Sequence, residues 1–153
     1  MIYLQRAIKV AEEGVRTEKG GPFGALVVKE GHIVAEGCNR VSSSKDPTAH
    51  AEIVAIRAAC KILNTFQLED CDIYCSCEPC PMCLGAIYWA RPRSVYFVAT
   101  KLDAAKAGFD DQFIYDEIEK ASNKRNIPFK HIELASANFP FDLWSKKIDK
   151  ILY

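Results

Sequence analysis

The sequence predicts an α/β fold, a three-layer α/β/α sandwich around a mixed five-stranded sheet, in one domain over residues 1–153. Two observations carry this. An early β-hairpin is read at Ala25 to Val28 and Ile33 to Gly37, and helical and strand patterns alternate after it. The 153 residues are the length of one domain, and a chain of that size buries roughly two thirds of the surface its unfolded form exposes.

The elements follow in order. Ile2 to about Arg16 places Leu4, Ile8, Val10, Ala11 and Val15 three to four apart, the spacing of an amphipathic helix that ends near Gly14. Gly20-Gly21-Pro22-Phe23-Gly24 is a tight connection whose glycines also let backbone approach a ligand. The hairpin turn is Lys29 to His32, with His32 read as exposed and uninvolved, and the second strand runs out at Cys38-Asn39-Arg40. A polar loop over Ser42 to Thr48 carries capping residues, so a helix is expected from Ala49 through Leu63. Asp72 to Cys75 reads as a third strand, Cys80 to Ala90 as a third helix, and Ser94 to Ala99 as a fourth strand with a continuous apolar run. Phe113 to about Ser122 is a weaker helix, His131 to Leu134 a fifth strand, and residues 139–153 a terminal helix and tail packing on the domain or on a partner subunit.

Composition narrows the function. Hydrophobic residues make up 49% and charged residues 26% of the chain, the profile of a folded soluble protein. Twenty basic residues balance twenty acidic ones, which speaks against a partner held mainly by its phosphates. No apolar run is long enough to span a bilayer. The amino terminus lacks the pattern of a secretory signal, so a cytoplasmic protein without membrane association is expected. Seven cysteines, an odd number, do not suit a disulfide framework there. Four of them crowd between Cys75 and Cys83, which points to a metal, while Cys38, Cys60, Cys71 and Cys75 read as small buried hydrophobes.

The chemistry sits in His50-Ala51-Glu52 and Glu78-Pro79-Cys80-Pro81-Met82-Cys83. Residues two apart on a helix point nearly opposite ways, but from a first turn both His50 and Glu52 reach a metal beyond the helix end. Cys80 and Cys83 are neighbours on one helical turn, and Pro79 and Pro81 require the helix to begin about there. That position favours thiolate. One imidazole and two thiolates balance Zn²⁺ and leave a fourth position for water. Zinc lowers the pKa of its bound water from about 16 toward about 7, so hydroxide becomes available as the nucleophile, and Glu52 is placed to shuttle protons to the substrate and its departing amine. Cys77-x-x-Cys80 has the same spacing as Cys80-x-x-Cys83. The second pair is preferred because it lies on one turn; a structural site that also used Cys77 would leave Glu52 idle.

His-x-Glu with Pro-Cys-x-x-Cys is the pattern of zinc deaminases. Together with Gly20 to Ala25, Asp46 to Glu52, Ser76 to Cys83, Gly85 to Pro92 and Ala107 to Asp111, it resembles the cytidine deaminase-like superfamily and, within it, the branch of small bacterial guanine deaminases. The resemblance covers almost the whole chain. It implies one Zn²⁺ per subunit at His50, Cys80 and Cys83, Glu52 as proton shuttle, and hydrolysis of guanine to xanthine and ammonia. It further implies that Asn39 bonds the purine, that Ala51 lines the substrate site, and that Phe23 stacks on the base. Asp111 would accept from its ring N–H groups; adenine has a bare acceptor at N1, so a carboxylate there prefers guanine. A homodimer, with carboxyl-terminal segments exchanged so that Tyr153 reaches the other subunit's pocket, is implied as well.

Other readings remain open at this point. A tRNA adenosine deaminase carries nearly the same motifs, but it must grip RNA phosphates, for which a neutral chain with an acidic Asp110-Asp111 pair is poorly suited. Cytosine or cytidine deamination is disfavoured by the same acidic loop. A non-catalytic zinc scaffold has no need of Glu52.

Overall fold

The structure is a computed structural model that describes residues 1–152; Tyr153, and with it the role expected for that residue, lies outside the described residues. The chain divides into two compact units, Met1–Asp111 and Gln112–Tyr153.

In the first unit, α1 (Ile2–Arg16) leads to β1 (Gly24–Lys29) and β2 (His32–Cys38). These pair antiparallel through a two-residue turn in which Glu30 and Gly31 both have positive φ, the geometry that matches the twist of a hairpin. A short α2 (Val41–Ser44) precedes α3 (Ala51–Leu63), β3 (Cys71–Cys77), α4 (Pro81–Ala90), β4 (Ser94–Ala99) and α5 (Lys101–Lys106). The strand order is β2-β1-β3-β4, with β1 antiparallel to β3 and β3 parallel to β4. The sheet is mixed, as expected.

Alternation along β1 builds the layers. Ala25 and Val27 join Ala55, Ile56, Ile73 and Ile87 in the core between the sheet and α3 and α4. Leu26 and Val28 face the other way, against Ala7 and Val10 of α1. Helices therefore cover both faces. Two strand glycines set how close they come. A Cβ on Gly37 would press into the backbone of α3 at Ala51 and Ala55, and one on Gly24 would press into α1 at Ala7 and Ala11. Glycine inside a strand is the sequence signal for such an approach.

The second unit holds α6 (Gln112–Glu119), a 3₁₀ turn at Ser122–Lys124 and α7 (Phe139–Lys146). The expected fifth strand is corrected here: the sheet has four strands, and His131 to Leu134 form no regular structure. A strand exists only through the ladder it makes with a neighbour, and Ile132 and Leu134 are exposed, at 69% and 67%. α7 begins at Phe139, where the terminal helix is expected, and ends at Lys146, ahead of the tail. Among the described residues none from 112 onward is buried, and no helix is long and apolar enough to cross a membrane.

Candidate active site

Both halves of the metal motif lie at helix starts, as the sequence predicts, with one refinement. His50 and Cys80 are the N-cap residues of α3 and α4, each in extended conformation with no side-chain capping bond. Their side chains are thereby free to turn toward each other. Pro81 takes the first helical position of α4, where its missing N–H costs nothing, and Cys83 follows two residues later, fully buried.

The three ligand atoms of His50, Cys80 and Cys83 lie within 4.8 Å of one another. His50 Nδ1 is 3.5 Å from Cys80 Sγ and 3.6 Å from Cys83 Sγ. On a tetrahedral zinc with ordinary Zn–N and Zn–S bonds, nitrogen and sulfur ligands stand about 3.6 Å apart, so the donor set fits the ion in type and in spacing. The thiols are consistent with this. Cys80 is depressed to about 4 by its hydrogen bonds from Cys83 and with His50. Cys83, donor of that bond and buried, is pushed up. One thiolate forms readily beside one thiol, and a divalent cation balances the second. The His50 imidazole is raised, first by its hydrogen bond with Cys80.

Cys77, the alternative ligand, does not join this cluster. Its Sγ lies 3.6 Å from the Thr100 carbonyl, and burial raises its thiol to about 11. Cys38, Cys71 and Cys75 are buried as expected, and Cys60 is partly exposed.

Glu52 is one of few buried charged residues, 7% exposed. Its carboxyl lies in hydrogen-bond reach of Cys83 and is raised, chiefly by desolvation. A carboxyl withdrawn from water beside three metal-type donors is in the kind of environment where perturbed, functional carboxyls are found.

Asp111 lies within electrostatic range of the cluster. Its charge is felt at His50 and Cys77, and the Cys80 thiolate acts back on it, while burial is the first cause of its raised carboxyl. Asn39, 5% exposed, is held by its own fold: Oδ1 accepts the Gly21 N–H (3.2 Å) and the Val41 N–H (3.1 Å). The amide nitrogen is left as donor, so Asn39 offers a ligand N–H groups. Phe23 packs at the edge of the α3-side core, and Ala51 is wholly enclosed in it. His32 is exposed.

The sequence gives Glu78 no role beyond its place in the motif. Its N–H donates to the Ala99 carbonyl (2.9 Å), and its Oε2 accepts the Lys101 N–H (3.0 Å) at the start of α5. Its place two residues before Cys80 is the only hint the sequence holds, because the partner is a backbone group twenty-three residues away.

Comparison with known proteins agrees with this geometry. A profile of the cytidine and deoxycytidylate deaminase zinc-binding region matches residues 2–99. The chain is 56% identical over 151 residues to the guanine deaminase of Bacillus subtilis (strain 168), covering 99% of this chain and 97% of that protein. The crystal structure of the Bacillus subtilis guanine deaminase superposes with a TM-score of 0.98, over 99% of this chain and 97% of that one. A tRNA-specific adenosine deaminase from Aquifex aeolicus (strain VF5) is 35% identical over 147 residues, 95% of this chain and 93% of that protein. A guanine deaminase structure from Nitrosomonas europaea is 33% identical over 71% of this chain and 63% of that one, with a TM-score of 0.68. With its three metal-type donors gathered at two helix starts and its length matched nearly end to end, the chain belongs to the zinc-binding cytidine and deoxycytidylate deaminase family.

Proposed function

We propose that this chain is a zinc-dependent guanine deaminase, which hydrolyses guanine to xanthine and ammonia. The carrying observation is the cluster of His50, Cys80 and Cys83 with the buried carboxylate of Glu52 beside it. Zinc held by those three donors supplies the Lewis acidity that makes water nucleophilic near neutral pH. Glu52 takes one proton from the attacking water and passes it to a ring nitrogen of the purine, then takes the second from the hydroxyl now on carbon and gives it to the departing amine; water's oxygen stays on the base as the carbonyl and ammonia leaves. Desolvation keeps that proton from leaking to bulk solvent.

The choice of guanine rests on Asp111 and on the 56% relative. Asp111 accepts from the base's N–H donors, and Asn39, whose Oδ1 is already committed to two backbone N–H groups, donates to an acceptor on the base. Phe23, only partly buried, is the aromatic face offered to the base, and Ala51 lies beneath the site in the core. A purified, zinc-loaded sample mixed separately with guanine, adenine, cytosine, cytidine and a tRNA anticodon stem-loop should consume guanine fastest, by ultraviolet absorbance and ammonia release. Faster turnover of the stem-loop would move the assignment to tRNA adenosine deamination. No ammonia from any of them would leave a zinc scaffold. Metal analysis of the protein as purified, before any zinc is added, should return zinc and no iron.

The working unit is a cytoplasmic homodimer acting in purine catabolism, with carboxyl-terminal segments exchanged between subunits. Support comes from the second unit, where Phe113, Phe129, Phe139, Phe141 and Leu143 are all more than half exposed. A monomer rarely leaves so much apolar surface wet. Light scattering should return twice the 17.1 kDa chain mass; a monomer at working concentration would refute the dimer.

A further inference from the structure

Residues 100–111 form a bridge from the end of β4 to Asp111. At its start Thr100 caps α5 through a reciprocal capping box with Asp103, and Glu78 accepts the Lys101 N–H. Past the helix the backbone turns at Gly108, φ +88°, and the Phe109 N–H donates back to the Ala104 carbonyl (3.0 Å). Asp111 is two residues further on.

Phe109 closes this bridge. Its ring meets Phe23 edge to face, centroids 5.0 Å apart at 87°, a geometry that complements the ring quadrupoles. The same ring rests on the backbone of Gly21. A Cβ there would sit 3.2 Å from Cε1 and Cζ of Phe109 and 3.3 Å from Cδ2 of Phe23, too near for both rings to keep their places. The landing site is itself tied down. The Gly21 N–H donates to Asn39 Oδ1, and the Asn39 N–H donates to the Phe23 carbonyl (3.0 Å). Phe109 is 43% exposed, so its contribution is this contact and not a place in the core.

We propose that Phe109 is a positioning residue: seated on Gly21 and Phe23, it clasps the segment bearing Asp111 to the turn that orients Asn39, so that the two purine-contacting groups are held as one unit. The inference rests on the proposed function, in which Asp111 and Asn39 bind the base. The clasp acts before chemistry, on the alignment of the bound purine. Its loss therefore weakens substrate binding more than turnover.

The test compares wild type, F109L, F109Y, D111N and F109L/D111N, all zinc-loaded and checked for zinc content and thermal unfolding. F109L should raise the KM for guanine about 3- to 10-fold, the worth of one aromatic pair, with kcat within about twofold of wild type. F109Y keeps the ring and should recover KM to within about twofold of wild type. Acting through Asp111, the F109L change should add less than about twofold in the D111N background. The Kd of 8-azaguanine by calorimetry gives the same comparison where turnover is too slow. Wild-type kinetics in F109L, an undiminished F109L effect on D111N, or equal losses in F109L and F109Y would each overturn the inference and leave the proposed function standing. Wild-type protein that releases no ammonia from guanine would overturn both.

Discussion

Replacing Gly37 by alanine tests whether the seat of α3 on the sheet governs the site. The added Cβ would overlap the Ala51 carbonyl, stand 2.6 Å from the Ala55 nitrogen and 3.1 Å from Val54 Cβ. Non-bonded atoms of this kind rest about 3.5–4.0 Å apart, so α3 has to back off by about 1 Å. The helix that moves begins with Ala51 and Glu52 and is capped by His50, whereas Cys80 and Cys83 stay with α4. A misplacement of about 1 Å in a reacting constellation costs on the order of 100-fold in rate, and the overpacking itself costs about 1–3 kcal/mol of stability. Gly24→Ala is the matched control. Its Cβ meets the Ala7 carbonyl, the Ala11 nitrogen at 2.7 Å and Val10 Cβ at 3.2 Å, nearly the same overlap, but against α1, which carries no ligand and no proton carrier. The two variants should lose similar Tm. Gly37→Ala should also lose zinc occupancy and fall on the order of 100-fold in kcat/KM, while Gly24→Ala stays within about tenfold of wild type. Equal zinc content and rates within about threefold of each other would refute the argument that the glycine seat aligns His50 and Glu52 with the cysteines.

Three further outcomes are expected. Glu52→Gln should keep its zinc by metal analysis and lose about 10²- to 10⁴-fold in kcat, because the amide cannot carry the proton; full activity with zinc bound would end the shuttle assignment. Chelation should abolish ammonia release and lower Tm, and added zinc should restore both, since metal binding by His50, Cys80 and Cys83 is folding free energy; an unchanged Tm would show that the ion adds nothing to the fold. Asp46 accepts the Thr48 N–H and hydroxyl (2.8 and 2.7 Å), and the hydroxyl bond chiefly holds its carboxyl below the ordinary range. A depressed carboxyl stabilises fully above its unfolded pKa and loses that contribution as pH falls through the folded one. The Tm gap between wild type and Asp46→Ala should therefore be widest near neutrality and narrow below about pH 4, read by thermal unfolding across pH.

Several elements were legible because their cause is local. α1 was read to its ends from a helical apolar period, β4 from an unbroken apolar run, and the hairpin from two short valine- and isoleucine-rich stretches around Glu30-Gly31. Others were not. α5 is held by a capping box and by Glu78 from another loop, and its six residues are too short for a period to show. His131 to Leu134 have strand-like composition, but composition cannot supply a neighbouring strand.

The sequence alone determined which donor residues stand at helix starts. His50, Glu52, Cys80 and Cys83 each sit where a helix begins, and proline and spacing announce such starts within a few residues. Only the tertiary structure decided how those pieces meet. Bringing two helix starts thirty residues apart to 3.5 Å takes the glycine seat of α3, and committing the Asn39 oxygen to two backbone N–H groups takes a turn eighteen residues away. Seating Phe109 on Gly21 and Phe23 takes a segment far along the chain from both. These are contacts between segments distant in the chain, and no local period or spacing encodes them.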